Sequence, residues 1–137
     1  MRSGCFDFSA RIAGVAAALA AVSCASTPAL VRDSPRVAER RPIAPYADAE
    51  VCGDLARGDR LDYRFEASVP VDFDLRYREG GAVVSPIVRE RSTGDSGIFE
   101  ARIAERYCAH WQAGPAGTLL DYRIEIRGPA GSPQSSS

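Results

Sequence analysis

Lysine and asparagine are absent from this chain of 137 residues, and histidine, methionine and tryptophan occur once each. All 17 basic residues are therefore arginine. Both missing residues have A-rich codons, which points to a GC-rich source genome. The basic groups face 18 acidic ones, for a formal net charge of −1. That balance excludes the one-signed field that would gather nucleic acid or an anionic membrane surface. A single histidine and no paired Cys-x-x-Cys leave too few ligands for a zinc centre. No metal and no cofactor are expected.

Long hydrophobic runs are also lacking. The best is Ile12 to Val22, 11 residues of mostly Ala, Val, Leu and Ile. As a helix it would span about 16 Å, against a hydrocarbon core of about 30 Å. It is too short to cross a bilayer and fits the apolar part of an export signal, with Arg2 and Arg11 before it. Ala21-Val22-Ser23-Cys24 closes the run. Small residues ahead of a cysteine are what a lipoprotein signal requires, so residues 1–23 read as that signal and Cys24 as the lipidated residue. Cleavage after Ala25, with Ser23 and Ala25 as the small pair, is the alternative. A bacterial lipoprotein cysteine carries several acyl chains, enough for stable anchoring. By resemblance to bacterial lipoproteins, Ala25 rather than Asp after the cysteine implies the outer membrane, with the domain on its periplasmic face or at the cell surface.

Residues 24–46 hold Pro28, Pro35, Pro42 and Pro45 among Arg, Ser, Asp and Ala, without a helical or strand period. They read as a disordered tether. Residues 128–137, rich in Gly, Pro and Ser, read as a disordered tail. The folded unit is placed between them, at 47–127.

Within that unit the apolar fraction (45% for the whole chain) is arranged with a period of two. Leu61, Tyr63, Phe65 and Ala67 alternate with charged residues. So do Val71, Phe73, Leu75 and Tyr77, and then Leu120, Tyr122, Ile124 and Ile126. Each run predicts a half-buried strand. Further strands are expected at 83–88, 98–103 and 107–113, with Pro86 marking an edge or bulge. Turns are expected at Glu79-Gly80-Gly81, Thr93 to Gly97 and Gly114 to Gly117. The pattern predicts an all-β, antiparallel sandwich of about seven strands. Its outer faces carry both signs of charge and so are not lipid-facing.

Of the four cysteines, Cys5 leaves with the signal and Cys24 is the lipidation candidate. Cys52 and Cys108 remain as a pair in an oxidising compartment, and a disulfide is expected between them. Closing a loop of that size stabilises by about 4 kcal/mol in the chain-entropy model. Two buried free thiols are the alternative.

Cys52, Gly58-Asp59-Arg60-Leu61 leading to Tyr63-Arg64-Phe65, Pro70-Val71-Asp72-Phe73-Asp74-Leu75, and Tyr107-Cys108 together resemble a GOLD domain, the β-sandwich of secretory-pathway cargo receptors. The likeness covers about residues 50–127. It departs from that family at Glu105-Arg106 and Trp111-Gln112 and lacks the family's helical stem and membrane span. The resemblance implies a non-catalytic binding sandwich and transfers no binding residue.

Candidate chemistry is sparse. His110 lies on the same strand face as Cys108, and no Gly-x-Ser-x-Gly supports a serine triad around it. Asp72 and Asp74 share a strand face with Arg76 and Arg78, which reads as a solvated charged surface rather than an acid pair. Gly94 to Gly97 offers too few oxygens for a calcium loop. The expectation is a non-catalytic binding module tethered in the bacterial envelope. Trp111, Tyr107 and Arg106 are the candidate anchors for an envelope protein or peptide partner. The alternative is a lipoprotein that inhibits a cell-wall hydrolase with a protruding loop at Ser92 to Gly97.

Overall fold

A computed structural model describes residues 28–131. The signal, Cys24 and the end of the C-terminal tail lie outside the described residues. The described chain is all-β and antiparallel, with six strands: β1 (Arg36–Ile43), β2 (Asp48–Leu55), β3 (Arg60–Glu79), β4 (Ala82–Glu100), β5 (Glu105–Ala113) and β6 (Thr118–Arg127). β3 to β6 contain the segments expected as strands. The count is nonetheless six rather than about seven, because expected neighbours merge and two unexpected strands appear.

The merging follows from β3. Its odd-numbered side chains point inward throughout, Leu61, Tyr63, Phe65 and Ala67, then Val71, Phe73 and Leu75. Its partner changes halfway. Residues Arg60 to Ala67 pair with β6, and Val71 to Arg76 pair with β5. Pro70 has no N–H to offer a ladder at the changeover. Thr118 fills the gap instead. Its hydroxyl accepts from the Val69 N–H at 3.1 Å and donates to the Val69 carbonyl at 3.0 Å, while the Ser68 hydroxyl accepts from the Leu119 N–H at 2.9 Å. The part-buried backbone at the bend is thereby satisfied without breaking the strand.

β4 follows β3 as a long hairpin through Gly80 and Gly81, both at positive φ, the chemistry of a tight two-residue hairpin turn. Thr93 to Gly97, expected as a turn, is strand: Gly94 opposes Glu66 and Asp95 opposes Phe65. The irregularity those residues signal is a bulge nearby, where Arg91 sits at φ 49° and its N–H donates to the Asp72 carboxylate at 2.9 Å. Arg102 and Ile103, expected as strand, form a bend after β4 ends.

The bent hairpin gives one sheet curled into two layers. One layer is β1-β6 with the first half of β3; the other is β2-β5 with its second half. The inward side chains fill the space between. Trp111 is at the centre, stacked on Tyr122 at 5.0 Å and packed against Phe73 at 5.5 Å and Phe65 at 5.9 Å.

The tether assigned to 24–46 and the domain start at 47 are corrected by the structure. Residues 36–43 are β1, paired with β6 from Ile124 to Thr118. Leu30 is buried and its N–H donates to the Cys52 carbonyl at 2.8 Å. Leu30 and Ile126 press on Gly53 so closely that a Cβ there would lie 2.7 Å from Ile126 Cδ1 and 2.9 Å from Leu30 Cβ. The strand period is hidden in β1 by a bulge between Ala38 and Arg41, where Arg40 stands at φ 47° and donates its N–H to Asp121. The sheet edge, not local pattern, orders this segment.

Candidate functional site

The disulfide is present: Cys52 and Cys108 face each other across β2 and β5, with Cα atoms 4.1 Å apart and sulfurs at bonding distance. It lies half-buried on the outer face of the layer rather than in the core. A neighbouring carboxylate, Glu50, completes a three-residue cluster with the two sulfurs, but both thiols are consumed by the bond.

The anchors expected on β5 separate. Trp111 is 0% exposed and Tyr107 1%; neither can meet a partner without unfolding the core, so both are removed as binding residues. They were candidates as aromatic anchors, and the face of β5 that carries them is the core face. Trp111 spends its ring on the aromatic cluster, and its Nε1 has no hydrogen-bond partner among the described residues. Tyr107 packs on Tyr77 at 4.8 Å and donates its hydroxyl to the Ile103 carbonyl at 2.9 Å. Burial pushes its phenol pKa up. Arg106 alone is exposed. It borders a shallow groove of about 500 Å³ with Arg78, Val83 and Glu105.

His110 shares the outer face with Cys108, as the alternation requires. Its Nδ1 lies 2.8 Å from Asp74 and its Nε2 3.5 Å from Asp48. The Ser85 hydroxyl donates to the same Asp74 at 3.2 Å. The order across the four strands is Asp48, His110, Asp74, Ser85. The hydroxyl therefore touches the acid and not the imidazole, which is not the arrangement that activates a serine. Asp72 is likewise held by the Arg91 backbone, so the pair Asp72 and Asp74 is a hydrogen-bonded surface ladder.

The two ends of the sandwich differ. The proximal end, where the described chain begins, gathers residues 30–33, the 56–59 turn, Ala101 and the end of β6. Asp59 is 1% exposed there, and it accepts a bidentate pair from Arg32 together with the Ala56 N–H at 2.8 Å. The distal end gathers the β1–β2 turn, the β3 bend, the Arg91 bulge and the β5–β6 turn.

A groove of about 490 Å³ opens at the distal end, lined by Tyr46, Pro70, Asp72, Arg91, Gln112 and Pro115 among others. Tyr46 is 71% exposed. It sits third in a turn closed by Ala47 N–H to the Ala44 carbonyl at 3.0 Å, with Pro45 second. Its φ is 59°. A turn with proline second and positive φ third is of type II, and that third position normally takes Gly or Asn. This residue was missed in the sequence, where Pro45-Tyr46 was absorbed into the tether. The signal available was a Pro-aromatic pair just ahead of a strand.

Architecture and site together define the class: an all-β, disulfide-linked antiparallel sandwich. No family model matches the chain, and no curated protein matches it. Among solved structures it is similar to the Yersinia pseudotuberculosis-derived mitogen, at 10% identity, 74% of this chain, 90% of that one and a TM-score of 0.49. A pre-peptidase C-terminal domain of a collagenase from Bacillus anthracis is similar at 9% identity, 74% of this chain, 99% of that one and a TM-score of 0.48. A de novo designed double-stranded β-helix follows at 18% identity, 70% and 99% coverage, and a TM-score of 0.33. The likeness is one of β architecture alone.

Proposed function

We propose that the protein is a non-catalytic binding module of the bacterial envelope, held at a membrane by acyl chains on Cys24 and presenting its distal end. The observation that carries the reading is the polarity of the domain. The chain joins the fold at the proximal end, where Leu30 and Arg32 are fixed, and the groove beside the exposed Tyr46 ring lies at the other end. Six residue steps separate Cys24 from Leu30, at most about 20 Å of extended chain. The domain would therefore stand close to the lipid surface with little freedom to turn over. Ala25 after the cysteine favours the outer membrane.

The likeness to a GOLD-type sandwich belongs to this proposal. It draws support from the cysteine pair, which joins the first strand after the β1–β2 turn to the penultimate strand. A protruding loop at Ser92 to Gly97 would have supported the hydrolase-inhibitor reading; that segment is paired strand, so no observation favours that reading over the binding module. Intact mass and fractionation test the tether. The wild-type chain is expected in the membrane fraction with the mass of acyl groups on Cys24, and Cys24→Ser is expected to lose both. An unmodified wild-type chain beginning after Ala25 would overturn it.

A further inference from the structure

We propose that the distal groove is a saccharide subsite, with Tyr46 as the stacking platform and Asp72, Arg91 and Gln112 as the hydroxyl-reading groups. The inference rests on the reading of the protein as a binding module and names its ligand class.

Three independent features converge. The first is the placement of Tyr46. A left-handed φ costs a non-glycine residue about 1–2 kcal/mol, and such outliers persist where the surroundings or a function hold them. The turn is held by the Tyr46 N–H donating to the Gly114 carbonyl at 3.1 Å, a bond that glycine would make equally well, while the ring is largely in water and offsets none of the backbone cost. Glycine would serve the turn better, and what tyrosine adds is an exposed flat ring at the lip of the groove. Aromatic faces carry the negative side of a quadrupole, which matches the polarised C–H face of a pyranose.

The second feature is the polar set. Asp72 accepts, Arg91 donates, and Gln112 does both through one planar amide. Adjacent sugar hydroxyls, each donor and acceptor, suit planar groups of this kind. Asp72 and Gln112 oppose each other across β3 and β5, and the Asp72 carboxylate is fixed by the Arg91 N–H at 2.9 Å, leaving its other oxygen uncommitted to that bond. The third feature is charge. One acid against one guanidinium leaves the groove compensated, which favours a neutral ligand over a phosphate or an acidic peptide. Val69, Pro70, Pro115 and Ala116 supply apolar walls, and a neutral, hydroxyl-rich, amphipathic ring is the occupant that uses every part.

The test is saturation-transfer NMR on the full chain in detergent micelles, with chitotriose and maltotriose as probes. At least one probe is expected to receive transfer on its ring protons. Tyr46→Gly is expected to weaken that probe at least tenfold with no loss of thermal stability, and Tyr46→Phe to retain it. Gln112→Ala should weaken it without unfolding. Absence of transfer to both probes, or transfer unchanged in Tyr46→Gly, overturns the saccharide assignment. Cross-linking at the distal end that persists while both probes fail would overturn the ligand class and leave the binding module standing; failure of both would remove both.

Discussion

Arg32, in a segment with no strand pattern of its own, grips the buried carboxylate of Asp59 with its two terminal guanidinium nitrogens. The pair spans 27 residues of sequence and fastens the start of the domain to the turn before β3. Asp59 is fully enclosed while Arg32 keeps its outer side in solvent, so the acid depends on the arginine for most of its compensation.

Removing the arginine should therefore act on stability rather than only on a surface pair. A hydrogen bond to a charged group is worth about 1.5–3 kcal/mol, and a buried acceptor left alone costs more. Arg32→Ala is expected to lower unfolding free energy by about 2 kcal/mol in a denaturant titration. An unchanged midpoint would return residues 30–33 to the status of a loose linker.

The disulfide ties the edge strand β2 covalently to its one ladder partner, β5. Cys52→Ser with Cys108→Ser is expected to lose about 4 kcal/mol, and the same midpoint shift should follow reduction of the wild type. Alkylation of both cysteines in the unreduced protein would contradict the pairing.

Trp111 is a core residue with an unpartnered N–H. Trp111→Ala is expected to cost about 3–5 kcal/mol. Trp111→Phe keeps most of the ring and removes the orphan donor, so its loss should be well under half of that. A Trp111→Ala protein as stable as wild type would place the ring outside the core.

Tyr63 is buried and donates to Asp95 at 2.9 Å. Burial first, and that bond second, push its phenol from 10.0 up to about 12. A raised folded-state value means stability is fully present below pH 10 and is lost as pH rises toward 12, because the unfolded chain ionises first. Tyr63→Phe should flatten that alkaline fall while leaving the neutral-pH fold intact. An identical alkaline slope in both proteins would contradict the assignment.

Legibility in the sequence followed the strength of the local period. Leu61 to Tyr77 and Leu120 to Ile126 declare their inward faces residue by residue, and the turns at Gly80-Gly81 and Gly114 to Gly117 are spelled in glycine. β1 was invisible because its order comes from β6 and a bulge at Arg40 shifts its alternation. Gly94 to Gly97 misled because glycine in a strand serves here to admit Tyr63, whose hydroxyl would lie 3.0 Å from a Cβ on Gly97. Trp111 and Tyr107 were visible as an aromatic pair on one face, but a period of two does not say which face is inside. Tyr46 needed the backbone: nothing in the letters Pro-Tyr shows that the ring stands on a left-handed residue.

A binding module that presents its distal end should meet its partner there and not at the proximal turn. Photo-cross-linking in intact cells tests it most directly, with the probe amino acid placed at Ala116 on the groove rim or at Arg57 on the proximal turn, both exposed. Ala116 is expected to give a discrete adduct that Tyr46→Gly diminishes, and Arg57 is expected to give none of that mass. Adducts from Arg57 alone, or none from Ala116, would contradict the claim.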